Sequence, residues 1–119
     1  MKKILIATHG TFASGAESTV RFLMGNVGNI TCINAYVDQD ENLVETLEQY
    51  FAQIRPEDQV IVLTDIKGGS VNQKIMGKRL KNSLIVTGAN LPLVLELVTL
   101  LDGDSPITAD QLKNTVALA

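Results

Sequence analysis

The sequence predicts an α/β fold: a three-layer doubly wound sheet, mostly parallel, with strand order 2-1-3-4 and helices on both faces. Three observations carry this. Short runs of branched apolar residues alternate along the chain with segments whose apolar positions recur at helical spacing, the pattern of βαβ units. Within the runs the apolar residues are consecutive, as in strands covered on both faces. The length of 119 residues, 45% hydrophobic and 19% charged, suits a single domain spanning 1–119 and leaves no room for two ordinary ones. For about four such units the order 2-1-3-4 is the economical arrangement, and it makes the first and third strands neighbours.

The first strand is read at 3–8 (Lys-Ile-Leu-Ile-Ala-Thr). Ser14-Gly15-Ala16-Glu17 then has capping-box spacing, Val20, Leu23 and Met24 supply a helical face, and Gly25-Asn26 offers a stop. A second strand is expected at 30–37. Asp38-Gln39-Asp40-Glu41 opens a second helix, with Leu43, Leu47, Tyr50 and Ile54 on one side and Pro56 beyond its end. The third strand, 59–64, is the clearest apolar run. Gly68-Gly69 breaks the chain before a second capping box, Ser70-Val71-Asn72-Gln73, whose helix buries Ile75, Met76 and Leu80. The fourth strand lies within 82–89, and Leu91-Pro92 begins a fourth helix, where proline fits the first turn. Asp102-Gly103-Asp104-Ser105-Pro106 is turn chemistry, and Thr108-Ala109-Asp110-Gln111 caps a last helix.

Composition removes several classes of function. A formal charge of −3 argues against a general nucleic-acid binder. One cysteine and one histidine exclude a disulfide framework and a Cys/His zinc site within the chain, and no carboxylate cluster suggests another metal. Cys32, among Ile30, Ile33 and Ala35, reads as a small core residue. The apolar stretch behind Met1-Lys2-Lys3 is too short for a signal peptide, and 91–101 falls below the about 20 residues of a membrane span. A soluble cytoplasmic protein is expected.

The chemistry concentrates at two loops. Thr8-His9-Gly10-Thr11 follows the first strand, and Asp65-Ile66-Lys67-Gly68-Gly69-Ser70 follows the third. In the expected strand order these loops meet at the C-terminal crevice where such sheets bind ligands. A carboxylate accepting from one ring nitrogen of His9 fixes the tautomer and leaves a lone pair on the other. Gly68, Gly69 and Ser70 precede a helix N-terminus, which favours an anion, and the helix starting near Ser14 brings a second. A nucleophilic imidazole, an orienting Asp65 and an anion cradle describe phosphoryl transfer through phosphohistidine. Taken alone, the same residues also read as a surface histidine and a capped turn. Their placement on adjacent strands lifts them above that reading.

Other chemistries fit less well. Thr8 stands where the Arg-His-Gly of histidine phosphatases has its arginine, and a second histidine is missing. No Gly-Lys-Ser/Thr triplet follows Gly68-Gly69, and no G-x-G-x-x-G follows the first strand. No aromatic is obviously placed to stack on a flavin. Of the basic residues at 67–81, Lys78, Arg79 and Lys81 read as a solvated helix face, whereas Lys67 lies inside the candidate loop.

Three signatures occur in order: Ala7-Thr8-His9-Gly10, Asp65-x-x-Gly68-Gly69-Ser70 and Gly88-Ala89-Asn90-Leu91-Pro92. With this spacing the chain resembles, over essentially its whole length, the enzyme IIA domain of the mannose-type sugar phosphotransferase system. The resemblance implies that His9 accepts a phosphoryl group from the phosphocarrier HPr and passes it to a IIB domain. From there the group goes to a sugar entering through membrane IIC and IID subunits. It implies that Asp65 orients His9, that Gly68, Gly69, Ser70, Gly10 and Thr11 surround the phosphoryl group, and that Lys67 and Asn90 lie on the partner rim. It further implies a homodimer without cofactor, metal or nucleic acid, cytoplasmic and brought to the membrane through the permease complex. Lys67 and Val71 depart from the bulky apolar residue and the proline common in the family. The alternatives are the phosphocarrier subunit of a dihydroxyacetone kinase and a flavodoxin-like regulatory module binding a small anion.

Overall fold

Successive side chains of a strand point to opposite faces of its sheet, so a run such as Ile4-Leu5-Ile6-Ala7 needs apolar cover on both sides. The computed structural model, which describes residues 1–25, 27–37, 42–66, 69–76, 82–101 and 105–118, supplies it. In chain order the elements are β1 (Lys2–His9), α1 (Phe12–Met24), β2 (Ile30–Ala35), α2 (Leu43–Ala52), β3 (Gln59–Thr64), α3 (Ser70–Met76), β4 (Ser83–Thr87), α4 (Leu91–Thr99) and α5 (Ala109–Leu118). The strands pair in parallel in the order β2-β1-β3-β4, as the sequence predicts.

Alternate residues of β1 enter separate cores. Ile4 and Ile6 pack with Ala13 and Val20 of α1, Leu93 and Leu97 of α4 and Leu112 of α5. Leu5 and Ala7 pack with Leu43 and Leu47 of α2 and Val71 and Ile75 of α3. All six residues of β3 are buried, which accounts for its unbroken apolar run. Cys32 packs against the first of these cores. Burial, with a hydrogen bond to Glu17, pushes its thiol up to about 11, in keeping with a packing role.

The helix starts show where local sequence misleads. The capping box expected at Ser14 does not begin α1, which starts at Phe12. Two strand residues cap it instead: Thr8 Oγ1 accepts from the Ala13 amide at 2.8 Å, and Asn34 Oδ1 accepts from the Ser14 amide at 3.1 Å. Ser70 is the first residue of α3 rather than a cap outside it. The box at 108–111 does form, the Gln111 amide donating to Thr108 Oγ1 and the Thr108 amide to Gln111 Oε1. The second strand stops at Ala35, short of the expected 37, because Tyr36 turns the chain at φ 65°. The expected helix start at Asp38-Gln39-Asp40-Glu41, the stop at Asn26, the turn at 102–104, and Leu80, Lys78, Arg79 and Lys81 lie outside the described residues. Among the described residues no helix is long and apolar enough to cross a membrane.

Candidate functional site

The register that pairs Ala7 with Thr64 brings β1 and β3 to their C-terminal ends at the same level. His9 closes β1 and Asp65 is the residue after β3, so residues 56 positions apart emerge side by side. Gly10 then turns the chain at φ 60°, a conformation that glycine adopts without steric cost, and its amide donates to the Ala35 carbonyl at 2.8 Å.

Asp65 holds both the backbone and the ring of His9. Its Oδ2 accepts from the His9 amide at 2.9 Å, and Oδ1 and Oδ2 lie 3.2 and 3.1 Å from Nδ1. Oδ1 also accepts from the Ile66 amide at 3.0 Å. Partial burial works to raise the pKa of this carboxyl, but hydrogen bonds from the His9 amide and ring outweigh it and hold it below the ordinary 3.8. An ionised carboxylate only accepts, so Nδ1 carries the ring proton. In the neutral ring the lone pair is then on Nε2.

Around Nε2 stand Ser70, Gly69 and Tyr36. Ser70 Oγ is 3.4 Å from Nε2, longer than an ordinary hydroxyl hydrogen bond. Gly69 allows a close approach: a Cβ there would sit 3.3 Å from His9 Cε1 and 3.2 Å from the Ile66 carbonyl, tight enough that the neighbours would have to shift by a few tenths of an ångström. Its amide is already used, donating to that carbonyl at 3.1 Å. Asn72 secures α3 to the sheet through Thr64 Oγ1 at 3.3 Å and Thr87 Oγ1 at 3.1 Å.

Tyr36 was not legible as part of this site. Its positive φ, a strain of order 1 kcal/mol for a bulky residue, turns the ring onto the imidazole at 5.4 Å between centroids. Its hydroxyl is 2.7 Å from Ser70 Oγ and accepts from Lys74 Nζ at 3.2 Å, and the same ammonium lies 5.3 Å from the ring centroid. Hydrogen bonding with Ser70 and then with Lys74 draws the phenol below its ordinary 10.0. The only sequence signal was position, one residue past the strand beside β1. Phe12, at the start of α1, and Tyr36, Val37 and Ile66, in the loops after β2 and β3, are between 49% and 56% exposed.

Thr11 sits at the N-cap of α1 and receives no side-chain cap bond of its own. Asn90, in the connection between β4 and α4, caps α4 by accepting from the Leu93 amide at 2.9 Å, and β4 is separated from β1 by β3. Lys67 and Gly68 lie outside the described residues.

Residues 3–115 match the EIIA-man family, described as the PTS (phosphotransferase system) fructose IIA component. Among solved structures, the PTS IIA protein associated with the fucose utilization operon of Streptococcus pneumoniae is 34% identical, with 99% of this chain and 90% of that one covered and a TM-score of 0.75. A Klebsiella pneumoniae subsp. pneumoniae protein ascribed to the phosphoenolpyruvate-dependent sugar PTS permeases is 28% identical, covering 98% and 84% of the two chains with a TM-score of 0.85. The mannose/sorbose specific IIA subunit of Enterococcus faecalis, 18% identical over 98% of this chain and 89% of that one, shares the fold at a TM-score of 0.79. None of the curated proteins matches at a significant level.

Proposed function

This chain belongs to the EIIA-man family and is a IIA component of the sugar phosphotransferase system, and we propose that His9 is its phosphoryl carrier. HPr is the donor and a IIB domain the acceptor, with IIC and IID taking the sugar onward at the membrane. The work is done in the cytoplasm.

One observation supports this reading above the others: Nδ1 is committed to Asp65 while Nε2 faces outward beside Ser70. The Nε2 lone pair attacks the phosphorus of the donor's phosphohistidine, the new P–N bond forms, and the donor imidazole leaves with the old bond's electron pair. Asp65 stays ionised and stabilises the charge that develops on the His9 ring. The Ser70 hydroxyl donates to a phosphoryl oxygen, and Gly69 lets the loop pass close to the His9 ring. Transfer to IIB is the same step in reverse.

The exposed apolar residues at 12, 36, 37 and 66 support a protein as donor rather than a small metabolite. Incubation with labelled phosphoenolpyruvate, enzyme I and HPr tests the reading. It predicts acid-labile label on the wild type and none on His9→Ala. No label on the wild type, or equal label on both, would overturn it and favour a module that binds a small anion.

A further inference from the structure

The hydroxyl beside Nε2 does not stand alone. It is the inner end of a chain that runs from Lys74 Nζ to Tyr36 Oη at 3.2 Å, to Ser70 Oγ at 2.7 Å, and on to His9 Nε2 at 3.4 Å. The ring continues it through Nδ1 to Asp65 at 3.1 Å. The two interior hydroxyls can each donate or accept, so distance alone leaves their direction open.

The ends favour one direction. Lys74 has three N–H groups and nothing to accept with, so Tyr36 Oη must be its acceptor. While the phenol keeps its proton, that proton cannot point at the ammonium, and Ser70 Oγ at 2.7 Å is the protein acceptor within its reach. Ser70, having accepted from Tyr36, has its own proton left for Nε2. At the far end the ionised Asp65 accepts the Nδ1 proton, which in the neutral ring leaves Nε2 as an acceptor. An obligate donor and an obligate acceptor thus polarise the groups between them the same way. The ammonium is steadied by its position over the Tyr36 ring, and that ring in turn packs on His9.

We propose that Tyr36 and Lys74 are positioning residues that hold the Ser70 hydroxyl as a donor toward His9 Nε2. The proposal rests on the phosphocarrier reading for its consequence. When phosphorus occupies Nε2, the same Ser70 proton meets a phosphoryl oxygen instead, without a rotamer search, and the Lys74 charge lies on the side of the incoming dianion. Neither residue exchanges a bond with phosphorus. They act through Ser70.

The experiment compares wild type with Tyr36→Phe, Lys74→Met and Lys74→Arg. Two quantities are read: the ¹⁵N shift of Nε2 in the unphosphorylated protein, and KM and kcat for phosphoryl transfer from phospho-HPr. Tyr36→Phe keeps the ring against His9 and removes only the hydroxyl, whereas Lys74→Arg restores an obligate donor. The expected result is a Nε2 resonance moved toward that of an unbonded imine in Tyr36→Phe and Lys74→Met. Their kcat falls roughly 3- to 10-fold, the range of one neutral hydrogen bond, with KM unchanged. Lys74→Arg should return both readouts toward wild type. A Nε2 shift and kcat equal to wild type in Tyr36→Phe and Lys74→Met would overturn the proposal, as would Lys74→Arg behaving like Lys74→Met. The nitrogen shift needs no phosphoryl transfer. A wild type that never labels would therefore remove the carrier reading while the shift still decides the relay.

Discussion

Asp65 contributes more to His9 than a single hydrogen bond, because one carboxylate restrains the backbone, the ring plane and the tautomer together. Asp65→Asn keeps the shape but loses the charge that selects Nδ1–H, and phosphoryl transfer should slow roughly 10- to 100-fold with the fold intact. Stopped-flow transfer from phospho-HPr checks this, and an unchanged rate would deny Asp65 its role. The pKa of Asp65 is depressed in the folded protein, so its stabilising grip is fully present above the ordinary 3.8 and fades as the pH falls through the lower folded value. Thermal unfolding of wild type and Asp65→Asn should therefore differ at neutral pH and converge in acid. The pairing of residues 9 and 65 could be anticipated because strand order and strand ends alone bring them together. Tyr36 could not, since its part depends on one left-handed residue whose cause lies in how the chain packs, not in its neighbours.

At the scale of elements, strands were easier to read than helix starts. Branched apolar runs mark a buried strand by themselves, and 59–64 needed no further information. A helix start is legible only when its cap is local, as at Thr108 and Gln111. For α1 the caps come from Thr8 and from Asn34, the latter 20 residues away, and no short window contains them. The attachment of the C-terminal segment to the sheet is equally non-local. Gln59 Nε2 donates to the Ile107 carbonyl and the Ile107 amide donates to Gln59 Oε1, both at 2.7 Å and buried. Gln59→Leu strands both backbone groups of Ile107 and should cost about 2–4 kcal/mol in urea unfolding. A loss below the error of the measurement would mean that this clamp does not hold the segment.

For the molecule as a whole, two-sided burial has a consequence for function. With helices covering both faces of the sheet, the chemistry is left to the loops at its C-terminal edge, where exposed Tyr36 packs its ring on His9 and exposed Ile66 follows Asp65. A carrier must meet donor and acceptor with the same rim, which favours modest, separable apolar contacts over one deep pocket. Ile66→Asp and Phe12→Asp should raise KM for phospho-HPr roughly tenfold while leaving the unfolding midpoint in place. An unchanged KM in both variants would remove the rim from partner docking.

In the proposed mechanism Asp65 reserves Nδ1 and so directs phosphorus to the other nitrogen. Nitrogen–phosphorus coupling in ¹⁵N-labelled protein, phosphorylated from phosphoenolpyruvate, reads this directly. The account predicts phosphorus coupled to Nε2 of His9, with the Nδ1 proton still present. Phosphorus coupled to Nδ1, or to no histidine nitrogen, would contradict it.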